Sequence, residues 1–326
     1  MRCILPVSLT LTLLLFLLPV LSQPESAARQ EGAAPLSSPH LTEIDRQQSL
    51  TVSLQGQSVQ MDMEEYLRGV LRAEMPASFE EEALKAQAVC ARTYTLYRME
   101  NGPIAAHPQA DSCDDVACCK AFLGAAEAAE AWGDAAQQYE EKIRRAVADT
   151  DGEIIWYEQE PILAAFHSSS AGYTQNVEDV WSRALPYLTS VESPEGPDTV
   201  PDYHSRVRFT AEEFQSLFLA AYPQADLSGS VSSWFRSLQK NDAGMTMKLT
   251  VGGIPVAGTA LRSLLGLRSA SFELETDESS VTFLVTGYGH GVGLSQYGAN
   301  ELAKQGLSWQ EILCWYYTGV SLGKTA

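Results

Sequence analysis

Pro76 constrains this chain more sharply than any other single residue, because a proline bars the residue before it from helical backbone. The strongly helical stretch 62–99 must therefore break into two helices at one corner, with Glu74 in the last turn of the first. Asp62 is placed to cap that helix, and Glu65 three residues on completes a capping-box pattern. Met63, Tyr66, Leu67, Val70 and Leu71 form its apolar stripe, and the next position on the stripe is Glu74. A carboxyl group thus stands where the periodicity asks for a hydrophobe. The carbonyl end of a helix and apolar surroundings both favour the protonated acid, the form that general acid catalysis uses. A helix-end carboxylate in water is the alternative.

The second helix is expected to open at Ser78 as cap, with Glu81 closing another box. Lys85, Ala88 and Arg92 share one stripe, a pattern that suits either a solvated face or a groove wall for an oxygen-rich ligand.

A net charge of −19 over 326 residues argues against nucleic acid and anionic lipid headgroups as partners. Residues 3–21 carry no charge and are predominantly apolar behind Arg2, roughly one bilayer core in length if helical. The segment 1–22 fits a membrane anchor or a cleaved signal peptide, and either exports the rest of the chain. Residues 23–48 have the composition of a flexible linker, and the folded part is expected over 49–322, opening with a hairpin around Gly56.

His107, Cys113, Cys118 and Cys119 lie within thirteen residues. Three thiols and an imidazole make a ligand set for structural tetrahedral zinc, although the spacing is not that of a zinc finger. A disulfide is the alternative in an exported chain. Cys90 and Cys314 read as core packing.

Helical pattern resumes over 120–148, followed by strands at 153–157 and 161–165. The hydroxyl-rich loop Ser168, Ser169, Ser170 and Tyr173 follows His167, without the G-x-S-x-G elbow of serine chemistry. Such a loop suits sugar hydroxyls and ring faces. For His167 a structural imidazole competes with ligand contact, and Asp179 and Trp181 are expected to buttress the loop. The Pro- and acid-rich stretch 190–205 reads as a long loop rimming a groove. A helix at 210–222 capped by Thr210, strands at 231–239, 245–251, 254–256, 270–276 and 281–286, and a helix at 258–266 complete an α+β fold. Helical segments are expected around a mixed, mainly antiparallel sheet, with an elongated substrate groove. Gly287, Gly289, Gly291 and Gly293 alternate before a helix at 294–305, in no phosphate-binding register. His290, Gln296 and Tyr297 project from this turn, to satisfy its backbone or to meet a ligand. A last helix spans 309–317.

Three long stretches in this order, 62–99, FHSSSAGYTQNVEDVW (166–181) and GYGHGVGLSQYGA (287–299), resemble the stage II sporulation protein D family, which shares its domain with an amidase enhancer. The resemblance spans most of 50–322. It implies a lytic transglycosylase acting on peptide-stripped peptidoglycan glycan strands in sporulation, with Glu74 matching the catalytic acid. It also places Tyr173, Tyr297, His290 and Gln296 at the groove. Lys85 and Arg92 would hold N-acetyl or lactyl oxygens. Relatives carry zinc in the Cys/His loop, Cys118 standing where a histidine occurs. The implied partners are the glycan, a cell-wall amidase and a membrane protein of the engulfment machinery. The implied location is the cell membrane through the N-terminal segment. A non-catalytic enhancer of an amidase is the second reading.

Overall fold

Folding begins upstream of the expected boundary. The computed structural model describes residues 43–325 apart from 103–104, 116–117 and 182. The expected anchor at 1–22 and most of the linker lie outside these residues. The linker's end, however, is helix α1 (Glu43–Gln47), and its Asp45 is only 1% exposed. Asp45 accepts bonds of 2.8 and 2.6 Å from the Arg92 guanidinium, while its own N–H donates to Asp151 at 2.9 Å. Residues 43–48 are therefore part of the fold, not of a tether.

Strands β1 (Ser49–Leu54) and β2 (Gln57–Asp62) form the expected hairpin, with Ser49 opposite Asp62. Gln55 and Gly56 make its turn, both with positive φ. Helix α2 (Met63–Glu74) starts where Asp62 accepts the Glu65 N–H at 2.8 Å and stops at Glu74, because Met75 is extended ahead of Pro76. Its whole predicted apolar stripe is buried. Helix α3 (Glu81–Glu100) starts later than expected: Ser78 is exposed in the corner and caps nothing. The Glu80 N–H is taken instead by Asn300, 220 residues away, at 2.8 Å. A long-range acceptor has replaced the local cap.

Strand β3 (Ser112–Cys113) joins β1 in parallel. Helices α4 (Ala125–Trp132) and α5 (Ala136–Asp149) cover α2 and α3. Between α2 and α5, Arg72 gives Glu140 a two-pronged bond at 2.9 and 2.7 Å, and Arg68 adds another. Burial alone would raise the Glu140 carboxyl, but these guanidiniums outweigh it and hold it at about 2. Strands β4 (Glu153–Tyr157), β5 (Glu160–Pro161) and β6 (Phe166–His167) and helix α6 (Val177–Trp181) follow. The expected second strand at 161–165 shrinks to β5, since the chain turns inward after Pro161.

Next come β7 (His204–Thr210), α7 (Ala211–Ala221), β8 (Phe235–Lys240), β9 (Thr246–Val251), β10 (Ile254–Ala257), α8 (Gly258–Leu265), β11 (Phe272–Thr276) and β12 (Ser280–Thr286). Thr210 caps α7 in a full capping box with Glu213, and Gly266 ends α8 in the left-handed conformation, as expected. Strand β13 (Leu294–Ser295), helices α9 (Gln296–Lys304) and α10 (Trp309–Tyr316) and strand β14 (Ser321–Lys324) return to the first part.

The fold is α+β with mostly antiparallel pairing, its strands divided among small sheets: β2-β1-β3, β10-β9-β8, β11-β12-β7, β13-β6 and β14-β4-β5. Two cores separate. One is built from α2, α3, α5, β4, α9 and α10, and the other from Phe214, Phe218, Trp234, Phe272, Phe283 and their neighbours. Residues 204–286 thus form a lobe inserted into the first body.

Candidate functional site

Glu74 sits where α2 ends, half-buried. Its Oε1 accepts the Ala121 N–H at 2.9 Å. Its backbone carbonyl accepts Nε2 of Gln296, the first residue of α9, also at 2.9 Å. The same Gln296 reaches Oε1 of buried Gln87 on α3 at 3.5 Å. The corner between α2 and α3 is thereby tied to the glycine turn, and Gln296 spends its amide on that corner. The carboxyl's surroundings differ from the apolar ones expected. A strap of chain, 119–123, crosses α2: Leu123 N–H bonds to Gly69 O at 3.0 Å, and Phe122 stacks on Tyr66 at 6.3 Å. Gly69 is required here, because a Cβ would stand 2.0 Å from the Phe122 ring.

Lys120, on this strap, places its ammonium 3.7 Å from the centre of the Phe166 ring and 4.2 Å from that of Tyr94. Burial lowers it to about 8, against the opposing pull of the Glu74 carboxylate. Sequence reasoning missed both Lys120 and the Ala121 N–H. The only available signal was their position directly after the paired cysteines.

The strap begins at the Cys/His cluster. The ligand atoms of His107, Cys113, Cys118 and Cys119 lie within 4.8 Å of one another. His107 Nε2 is 3.1 Å from Cys119 Sγ, while its Nδ1 faces the Ala110 carbonyl at 3.1 Å. Fixing one ring nitrogen on a carbonyl so that the other faces the ligand position is the usual support of a metal-bound histidine. Cys113 and Cys118 are 3.0 Å apart at sulfur and unbonded, and Cys90, Cys113, Cys118 and Cys119 are all free thiols. Burial and the neighbouring thiols push Cys118 up to about 12, an arrangement that a divalent cation would reverse. The four donors fit a metal ion.

The glycine turn packs closely on the protein around it. Gly287, Gly289, Gly291 and Gly293 all take positive φ, and a Cβ at Gly293 would stand 2.1 Å from the Ala165 carbonyl oxygen. The turn runs beside the hydroxyl loop, with Ser169 paired to Tyr288 and Gln175 to Val292. Ser168 O accepts the Tyr297 N–H at 3.0 Å, and Tyr297 packs edge-on to Phe79 at 4.9 Å. His290, half-buried, lies tilted against Trp181 with ring centres 4.9 Å apart and stands 5.6 Å from His167; burial and nearby cationic groups push it well down. Trp181 rests on the glycine turn through His290, and Asp179 holds Asn241, which also reaches Gln175 just past the hydroxyl loop. His167 is structural: its Nδ1 meets Val292 O at 3.2 Å and its Nε2 meets Ser170 Oγ at 2.8 Å. Burial drops it to about 4. A small pocket is lined by Ser169, Ser170, Tyr173, Gln175, Ser269 and His290. Tyr173 is 49% exposed, and Ser169 Oγ is buried with no hydrogen-bond partner among the described residues.

Three expectations are corrected. Arg92 does not face a groove: its side chain is wholly buried, bound to Asp45 and to the Glu153 carbonyl. Lys85 is neutralised by Glu82 at 2.9 Å and Asp149 at 3.2 Å, bridging α3 to α5. The loop 190–205 is no mere rim, because Glu195 is buried in it. This carboxylate accepts from Ser170 N at 2.6 Å and from the hydroxyls of Ser193 and Ser295 at 2.5 Å each. It joins the hydroxyl loop to the start of α9.

The stage II sporulation protein family model matches residues 55–157. Stage II sporulation protein D of Bacillus subtilis is 37% identical over 82% of this chain and 76% of its own length. That of Bacillus amyloliquefaciens is 38% identical over 80% and 74%. An amidase enhancer of Bacillus subtilis is 26% identical over 78% of this chain and 40% of its own length.

Proposed function

The chain belongs to the stage II sporulation protein D family, and on that footing we propose that it is a lytic transglycosylase of peptidoglycan glycan strands from which the peptides have been removed, working in sporulation. The observation that carries this reading is that the three stretches that resemble the family are linked in space, the third to Glu74 and the second to the third. Gln296 binds the Glu74 carbonyl, and Ser168 of the hydroxyl loop binds the residue after Gln296.

Glycoside hydrolases use two carboxylates, whereas closing an internal ring needs one. Glu74 in its acid form gives its proton to the oxygen bridging N-acetylmuramic acid and N-acetylglucosamine, and the C1–O bond breaks. Its Oε2, which takes no hydrogen bond from the described residues, is the atom free to do so. The resulting carboxylate then takes the proton of the muramic C6 hydroxyl as that oxygen closes on C1. A 1,6-anhydro end forms, no water is consumed, and Glu74 regains its proton. Tyr173, exposed, and Tyr297, half-buried, offer ring faces to the sugar.

His107, Cys113, Cys118 and Cys119 would hold a zinc ion as a closed set of four, supplying rigidity rather than chemistry. The family also suggests an amidase and an engulfment membrane protein as partners. A membrane anchor in residues 1–22 fits that setting; among the described residues no helix is long and apolar enough to cross a membrane. Similarity to an amidase enhancer favours a second reading, a glycan-binding stimulator without chemistry of its own. Incubating the protein with peptide-free strands separates the two. Cleavage that disappears in Glu74→Gln supports the enzyme. Intact strands, with faster cleavage of whole peptidoglycan by an added amidase, support the stimulator.

A further inference from the structure

With Arg92 buried and Lys85 paired, the site needs another account of how it meets an anionic sugar. Removing the peptide from N-acetylmuramic acid leaves a free lactyl carboxylate on C3 of the ring whose C1–O bond is to break. A chain of net charge −19 opposes the approach of such a strand. Of the five cations on α2 and α3, four do little to offset this, and the fifth, Arg98, stands in the last turn of α3 beside Ala110 and Asp111. Arg68 and Arg72 are paired with Glu140, Lys85 with Glu82 and Asp149, and Arg92 with Asp45.

Lys120 is different. It is partly exposed, rests on the Phe166 and Tyr94 rings, and forms no ion pair within 4.0 Å among the described residues. Ring faces hold an ammonium without neutralising it, so its charge remains available to an incoming anion. Its position is fixed from both sides, by Cys119 of the four-ligand cluster and by Ala121, whose N–H holds Glu74. Resting on the glycan-cleaving reading above, we propose that Lys120 is a substrate-binding residue that recognises the free lactyl carboxylate and so selects peptide-free strands.

The test compares peptide-free strands with the same strands after their lactyl carboxylates are converted to neutral methylamides. Binding is measured with the full chain carrying Glu74→Gln, alone and combined with Lys120→Met or Lys120→Arg. The methionine keeps an unbranched side chain against the two rings, and melting temperatures verify that each variant is folded. Lys120→Met is expected to lose about tenfold in affinity for the carboxylate strands and nothing for the methylamides. Lys120→Arg should restore most of the preference. Equal loss on both strands, or no loss on either, overturns the proposal. Carboxylate-selective binding through Lys120 by a protein that never cleaves leaves the proposal standing and defeats the enzymatic reading alone. No binding of either strand by any form defeats both.

Discussion

Glu195 illustrates how a single side chain can decide whether the candidate site exists. It is buried, and three donors converge on its two oxygens, one from its own loop and two from distant segments. Replacing it with alanine leaves the Ser170 N–H without an acceptor, while Ser193 and Ser295 keep their bonds to Tyr316 and to Ser168 O, which should cost about 1–3 kcal/mol in denaturant unfolding and loosen the hydroxyl loop. An unchanged midpoint would show that the loop is held by other means. His167 makes a second prediction, on pH. Its folded value of about 4 lies below the ordinary 6.5, so the unfolded chain takes up the proton first. The stability contributed by the neutral ring is complete above about pH 6.5 and lost as pH falls toward 4, a term of about 3 kcal/mol. His290 shifts in the same direction and adds to the loss. Unfolding measured across this range should weaken on acidification, with a shallower slope in His167→Gln. The same slope in that variant would contradict the assignment.

At the level of elements, α1 acts as a latch. Arg92 on α3 is fully buried with Asp45 as its counter-ion, and a buried guanidinium stripped of its carboxylate is strongly destabilising. Asp45→Ala, or a chain trimmed to begin at Ser49, should lose about 3–5 kcal/mol of stability by thermal or denaturant unfolding. Indifference to trimming would make α1 an ornament. The sequence carried α2 well. A stripe, a cap and a proline are local signals, and they set both its ends and the placement of Glu74. Arg92 was misread for the complementary reason. Its stripe with Lys85 is real, but what occupies that stripe is a residue 47 positions earlier, in a segment whose polar composition reads as tether. The late start of α3 has the same origin, since Asn300 replaces Ser78 as the acceptor at its N-terminus. Helix ends governed by neighbours along the chain were legible, and those governed by distant partners were not.

Across the whole molecule, the three family-like stretches meet although the contact between the first and the last joins residues 222 positions apart. Their meeting could be inferred only from resemblance, because no periodicity encodes which loops touch. The division into two cores was equally hidden: alternating strands announce that they pair, not which side of the molecule they cover. The Cys/His cluster was legible from ligand types packed closely in sequence, and its consequence, a strap reaching Glu74, was not. If a metal braces that strap, elemental analysis should find about one zinc per chain. Cys113→Ser should then lower both metal content and melting temperature, and full metal content in that variant would remove these donors from consideration. The central claim, that one carboxyl group cleaves the glycan without water, is tested most directly by digesting peptide-free strands in ¹⁸O-enriched water and reading the new ends by mass spectrometry. The account predicts 1,6-anhydro ends carrying no ¹⁸O, absent when Glu74→Gln replaces the parent protein. Reducing ends labelled with ¹⁸O, or anhydro ends that persist in Glu74→Gln, would contradict it.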